Sequence, residues 1–194
     1  MTSPRLVLAS TSIYRKQLLE RFELPFETAR PEVDEAPLAG ETPDATAERL
    51  ALEKARAVAH AFPDALIIGS DQVAHRGAQR FGKPGSVERA CAQLREMRGE
   101  SIVFHTAVCL YNSRTCQHQL AGVPTEARFR ALSDEEIERY VRREMPLDCA
   151  GSAKSEGLGI SLLDYMRGDD PTALIGLPLI TLARMLRAEG IQVP

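Results

Sequence analysis

Ala65-Leu66-Ile67-Ile68-Gly69-Ser70-Asp71-Gln72 is the stretch on which the fold turns. Its first five residues are an unbroken apolar run of strand length. A strand with no polar alternation has to be covered on both faces, so it belongs in the middle of a sheet. The run then changes abruptly to Ser70-Asp71-Gln72. A carboxylate at the end of a doubly covered strand is delivered to a cleft, because open sheets collect ligands beyond their strand ends.

Upstream of this run lies a helix, with Thr42 as its cap and Pro43 at the first helical position, where the missing N–H costs nothing. It reaches about Phe62 and carries Ala47, Leu50, Ala51 and Val58 on one face. Residues 31–42 hold Pro31, Asp34, Glu35, Pro37, Gly40 and Glu41 and read as an ordered acidic loop. Before them, Leu6 to Ser10 and Phe26 to Ala29 have strand character and flank a helix from Ile13 to about Arg21.

Downstream, a hairpin near Arg76-Gly77 leads to Gly82-Lys83-Pro84, and Ser86 caps a helix to about Arg98. Ile102–Leu110 and Thr125–Leu132 read as strands. Ser133-Asp134-Glu135-Glu136 is a capping box opening another helix. A strand over Gly159–Met166, a turn at Gly168-Asp169-Asp170-Pro171 and an amphipathic helix over Pro178–Ala188 complete the chain. Helices mixed with hairpin-joined strands predict an α/β fold. Its sheet is mixed and partly antiparallel, flanked by helices, with two lobes around one cleft in a single domain over residues 1–194.

The 194 residues, 44% of them hydrophobic and 26% charged, suit one globular core. With 24 Lys and Arg against 27 Asp and Glu, the net charge of −3 leaves no basic face for nucleic acid. Cys91, Cys109, Cys116 and Cys149 form no CxxC pair and read as reduced thiols. The apolar run that ends at Thr11 is too short for a signal peptide, and nothing approaches the roughly 20 apolar residues of a membrane span. The expected location is the cytoplasm, with no membrane partner. HExxH, GxxxxGK[ST] and GxSxG are all absent, which disfavours a zinc protease, a P-loop NTPase and an α/β-hydrolase.

Four polar clusters stand at strand ends or helix starts. Ser10-Thr11-Ser12-Ile13-Tyr14-Arg15 offers hydroxyls, free N–H groups and a guanidinium to an anion, although Ser or Thr before a helix is most often simply a cap. Asp34-Glu35, with Lys54 on the next helix, offers charge that is equally at home on a solvated surface. Ser70-Asp71-Gln72 supplies a carboxylate of the kind Mg²⁺ binds together with substrate phosphates, and Lys83 supplies a further positive charge. Cys149 to Gly157 is rich in small residues and ends in Ser155-Glu156-Gly157, where Glu156 can accept from a base edge; a plain polar loop is the competing reading.

Together and in this order the clusters resemble the Maf family of nucleoside triphosphate pyrophosphatases, from Leu8-Ala9-Ser10-Thr11-Ser12 to Gly176-Leu177-Pro178-Leu179. Ile68-Gly69-Ser70-Asp71-Gln72-Val73, Cys149-Ala150-Gly151-Ser152 and Lys154-Ser155-Glu156-Gly157 are similar to the branch acting on 7-methyl-GTP. In the dTTP/UTP branch the corresponding places carry Asp-Thr after the buried strand, Arg-Arg in the first motif and an Ile-Gln-Gly segment near the end. The resemblance implies a divalent metal, Mg²⁺ or Mn²⁺, a cytoplasmic location and a homodimer. It places the proton acceptor at Asp71 and base selection at Tyr14, Gln72 and Glu156. Ser10, Arg15, Lys54 and Lys83 fall in the phosphate part of the cleft, with Glu35 and Asp71 toward the metal. Ile13 stands where the family usually has Pro, and Ala153 where this branch usually has Phe.

Methylation at N7 gives guanine a delocalised positive charge. A stacked Tyr14 would gain about 0.5–2 kcal/mol from it, while Glu156 would accept from the N1 and N2 donors. Two other readings stay open at this level: the same chemistry on dTTP, UTP or a damaged nucleotide, and a non-catalytic nucleotide-binding regulator of cell division.

Overall fold

The strand that begins at Ala65 does not stop at the polar triplet. In the computed structural model, which describes residues 4–193, strand β3 (Ala65–Arg76) runs straight through Ser70-Asp71-Gln72 for 12 residues. Asp71 therefore stands in mid-strand rather than at a strand tip, as the loss of apolar character had suggested. The continuation is held by antiparallel pairing with β5 (Ser101–Asn112), which sets Asp71 opposite Ala107 and Gln72 opposite Thr106. Backbone hydrogen bonds are indifferent to side-chain polarity, so a polar triplet can sit in the ladder if something accepts its side chains.

Around this pair the sheet is ordered β2-β1-β3-β5-β6-β7, with β4 (Gln79–Phe81) hairpinned onto β3. β1 (Arg5–Ala9) is parallel to β2 (Glu27–Ala29) and to β3, whereas β5, β6 (Gln117–Phe129) and β7 (Leu163–Arg167) join in antiparallel fashion. The sheet is mixed, as the alternation of elements predicted. β6 starts eight residues before the expected Thr125 because Gln117–Gly122, though polar, pairs with β5. Pro124 is tolerated inside β6 because β7 covers only Glu126–Phe129 of it. Gly159 to Leu162, expected in the last strand, belong instead to a 3-10 turn (Leu158–Leu162) ahead of β7.

The helices are α1 (Ile13–Glu20), α2 (Pro43–Ala59), α3 (Val87–Met97), α4 (Asp134–Glu144) and α5 (Leu179–Ala188). Ser12, Thr42, Ser86 and Ser133 cap the first four, and Ser133 with Glu136 completes the capping box. α2 ends three residues short of Phe62 in a turn. α1 and α5 cover one face of the sheet, where Leu18, Leu19, Leu182 and Leu186 meet Leu8, Leu66, Ile68 and Leu110. α2 covers the opposite face, with Ala47, Ala51, Ala55 and Val58 against Val7, Ile67 and Cys109. A separate core, built on α3 and α4, takes Ala74 from the far end of β3 and Ile102 and Phe104 from the near end of β5. The two long strands thus thread both lobes. Where they pass from one lobe to the other, their residues are Ser70, Asp71 and Gln72 opposite Val108, Ala107 and Thr106.

Candidate active site

Side chains alternate faces along β3. Even-numbered Leu66 and Ile68 point to α1 and α5, and odd-numbered Ile67 to α2. Gly69 also faces α2, and so closely that an added Cβ would lie 2.0 Å from the Ala51 carbonyl oxygen. Two residues on, the same face presents Asp71 to α2, where Lys54 waits. Lys54 sits in the buried stripe Ala47, Leu50, Ala51, Lys54, Ala55, Val58 and is only 6% exposed. Its Nζ donates to Asp71 Oδ1 at 2.6 Å and lies 2.6 Å from Glu35 Oε1. Two carboxylates from distant parts of the chain thereby converge on one ammonium, and Asp71 itself is 8% exposed.

The loop that brings Glu35 is held by Glu41. Its carboxylate accepts from Leu38 N, Thr46 Oγ1 and, at 2.7 and 3.0 Å, from two nitrogens of Arg49, whose Nη2 also reaches Ala36 O. This fork holds Glu41 down at about 2, the Arg49 hydrogen bonds being the largest cause. Partial burial of Glu35 pushes its carboxyl up. The Lys54 hydrogen bond and charge, and behind them the charges of Lys83 and Arg15, outweigh that and bring it below the ordinary range. Burial pulls the Arg15 guanidinium down, opposed by the charges of Asp71 and Glu35. Arg15, Lys54 and Lys83 are thus each within electrostatic reach of Glu35, and Arg15 and Lys54 of Asp71 as well.

Arg15 arrives from α1. β1 ends at Ala9 while its neighbour β3 continues, and the chain turns at once through buried Ser10 into the helix. Ser10 Oγ accepts from Ser12 N at 3.1 Å, and Ser12 caps the helix at Arg15 N. Ile13, at the position where the resemblance leads one to expect Pro, opens the helix and is 59% exposed. Arg15 Nε donates to Gly176 O at 2.8 Å. The exposed Lys83 sits in a loop whose Gly82 O accepts from Gln93 Nε2 and Gly151 N, and whose Gly85 N donates to Leu147 O.

Gln72 lies on the other face of the sheet from Asp71. Its Nε2 is 2.9 Å from Leu174 O, 3.1 Å from Ala173 O and 2.8 Å from Thr106 Oγ1. Backbone carbonyls only accept, which fixes the amide orientation and leaves its N–H groups engaged within the protein. Ser70, fully buried on the same face, has its hydroxyl 2.8 Å from Ala107 O and 2.9 Å from Gly176 O.

Tyr14 lies in a second neighbourhood, at the segment 147–157. Lys154 Nζ stands 5.3 Å from the centre of the Tyr14 ring and 3.0 Å from Glu144 Oε1. Burial, then the nearby Cys149 and Asp148, push the Tyr14 hydroxyl up. Burial, then Asp148 and Glu156, push the Cys149 thiol up to about 12, so it is no nucleophile near neutrality. The Glu156 carboxyl is raised, first by partial burial and further by Glu144 and Asp148, against its own backbone N–H and Lys154. Tyr14 and Glu156 therefore share this neighbourhood. The segment is held by Tyr140, which donates to Ser152 O and accepts from Lys154 N. Ala153 packs toward the core of α3 and α4.

The expected residues thus fall in two adjoining regions: Ser10, Arg15, Glu35, Lys54, Asp71 and Lys83 in one, Tyr14 and Glu156 in the other. α1 links them through Tyr14-Arg15, while Gln72 lies behind the first. Sequence reasoning named Ser70 with its cluster but gave it no role of its own, and it missed Thr106, Glu144 and the carbonyls of residues 173–176. The helical spacing 47, 50, 51, 54, 55, 58 was a usable signal that Lys54 is buried. Nothing in the sequence distinguishes Glu144 from a solvated helix end.

A family model described as Maf-like protein matches residues 5–189 of this chain. The 7-methyl-GTP pyrophosphatase of Aromatoleum aromaticum is 65% identical over 194 residues, covering 100% of both chains. The proteins of the same name from Burkholderia thailandensis and Thiobacillus denitrificans are 60% and 58% identical, over 96% and 99% of this chain and 88% and 96% of their own. Among solved structures, the Staphylococcus aureus Ham1 protein aligns with a TM-score of 0.46 at 14% identity, over 66% of this chain and 72% of that one. Because the family model spans both regions of the site as well as the sheet that carries them, the chain belongs to the Maf family.

Proposed function

We propose that the protein hydrolyses 7-methyl-GTP between the α and β phosphates, giving 7-methyl-GMP and pyrophosphate. The observation that carries this reading is the convergence of Glu35 and Asp71 on buried Lys54, within reach of the charges of Arg15 and Lys83. The names of the full-length relatives support the substrate. So does the Tyr14 ring, which already has one cation, Lys154, against it.

In this reading Asp71 accepts the proton of the attacking water, and Lys54 orients its carboxylate. Arg15, Lys54 and Lys83 offset the negative charge that grows on the pyrophosphate leaving group. Tyr14 stacks on the cationic base, and Glu156 accepts from its donors. Gln72 acts from behind, by fixing the backbone at residues 173–174.

The two carboxylates also suit a hard divalent cation, which takes one or two carboxylates and completes its shell with water and phosphate oxygens. Among the described residues no group of three or more His, Cys, Asp or Glu gathers as a protein-only cage. Glu35 and Asp71 would therefore be the chain's share in holding Mg²⁺ or Mn²⁺. The ion, when bound, supplies positive charge to the phosphate oxygens.

Release of pyrophosphate from 7-methyl-GTP, GTP, dTTP and UTP, with Mg²⁺, Mn²⁺ or EDTA, tests the assignment. The expected result is a preference for 7-methyl-GTP and loss of turnover in EDTA. Faster turnover of dTTP or UTP would move the chain to the pyrimidine reading, and binding without release of pyrophosphate to the regulatory one. The reading further places the protein in the cytoplasm as a homodimer. No helix among the described residues is long and apolar enough to cross a membrane. Light scattering in solution would give about twice the 21.3 kDa chain mass for the dimer.

A further inference from the structure

The turn between β7 and α5 contains a buried carboxylate that the chemistry above does not use. Asp170 is 2% exposed. Its Oδ1 accepts from Thr172 N at 2.9 Å and from Thr172 Oγ1 at 2.6 Å, and its Oδ2 accepts from Ile180 N at 2.7 Å. Pro178, at the cap position of α5, makes no side-chain capping bond. Asp170 and Thr172 answer the helix's first N–H groups instead, the Thr172 hydroxyl accepting from Leu179 N at 2.9 Å and lying 2.8 Å from Leu177 O. One carboxylate therefore sets the shape of the whole turn from residue 170 to residue 178.

One carbonyl of that turn meets a side chain of the site, and another is held from the sheet behind it. Gly176 O accepts from Arg15 Nε at 2.8 Å and lies 2.9 Å from the Ser70 hydroxyl; Ala173 O accepts from Thr106 and Gln72. Gly176 has φ +123, a conformation that L side chains rarely adopt, and a Cβ there would stand 3.4 Å from Arg15 Nε. The plane of the Arg15 fork is thus set by a carbonyl whose own position depends on the turn that Asp170 closes. A guanidinium offset by a fraction of an ångström loses the parallel geometry that phosphate recognition needs.

We propose that Asp170 is a positioning residue for Arg15: by closing the 170–178 turn it seats Gly176 O, which aims the guanidinium at the substrate's phosphates. The proposal rests on Arg15 being a phosphate ligand, as in the function proposed above, but not on the identity of the base. Its test is therefore binding of inorganic pyrophosphate in the presence of Mg²⁺, followed by calorimetry. Asp170→Asn should weaken binding about tenfold. In an Arg15→Lys background, which keeps a positive charge but has no Nε to seat on Gly176, the same substitution should change it less than twofold.

Equal losses in the two backgrounds would overturn the proposal, because a merely structural role lowers the melting temperature and the binding alike whatever stands at position 15. Undiminished binding by Asp170→Asn, or no binding by the unsubstituted protein, would overturn it as well. If Asp170→Asn does not fold, Thr172→Val removes the hydroxyl that links the carboxylate to Leu179 and carries the same expectations. Turnover of 7-methyl-GTP by the unsubstituted protein is measured alongside, so that failure of the substrate assignment is seen separately from failure of the Asp170 role.

Discussion

Lys54 shows how much a single side chain can organise. A buried ammonium is stable only when paired, and here it has two carboxylates at 2.6 Å. Asp71→Asn keeps the shape of the side chain and leaves Lys54 its Glu35 partner. The variant should fold normally and lose turnover by a factor on the order of 10² or more; near-normal turnover would remove Asp71 from the chemistry. Glu156 lies in the other region, among Lys154, Glu144 and Asp148. Glu156→Gln should lower kcat/KM for 7-methyl-GTP more than for a pyrimidine triphosphate, and equal losses would rule out base selection at this position. Which residues were polar and near a strand or helix end was legible in the sequence. That Gln72 points away from Asp71 follows from the two-residue period of a strand, and it became visible only once β3 was seen to continue past Gly69.

At the scale of elements, the relation that matters most is the seating of α2 on β3. α2 lies against the sheet on alanines, and at Gly69 it touches bare backbone. Gly69→Ala would place a methyl group 2.0 Å from Ala51 O and 2.9 Å from Ala55 N. Backbone cannot rotate away as a side chain can, so the helix must lift. The expected cost is about 3 kcal/mol, at the upper end of overpacking, read from the urea midpoint. Lys54, one turn along α2 from Ala51, should move with it. The folded variant should therefore also lose kcat/KM, whereas a stability loss with unchanged kcat/KM would show that α2 seating and the Lys54–Asp71 pair are independent. Helix starts were readable from local chemistry, since Ser12, Thr42, Ser86 and Ser133 cap as their sequence context implies. Strand ends were not, because the second half of β3 is held by β5, a partner distant in sequence, and the polar start of β6 is held by its hairpin partner rather than by any alternation of its own.

For the whole molecule, the two lobes share β3 and β5. Ile102 and Phe104 belong to the core of α3 and α4, while Val108 and Leu110 belong to that of α1 and α5. One lobe cannot open without tearing a strand out of the other, so both should unfold together. Hydrogen exchange should give the amides of residues 102–104 and 108–110 the same opening free energy and the same denaturant dependence; two distinct values would mean that the lobes unfold separately. The crossing between the lobes is therefore no loose hinge. It is a polar interruption in two continuous strands, fixed by the cores on either side.

The sequence by itself determined the mixed α/β class, the central place of Ala65–Gly69, the helix caps and the set of polar residues that resemble one family. Each of these rests on short-range physics: side-chain period, capping chemistry, and the apolar length a buried strand requires. Tertiary structure alone decided that Lys54 joins Glu35 to Asp71, that Gln72 braces residues 173–174 from behind, and that Asp170 shapes the turn beneath Arg15. Such pairings depend on which strands lie side by side and which face each residue takes, and no local pattern encodes a contact between segments that meet only when the sheet closes.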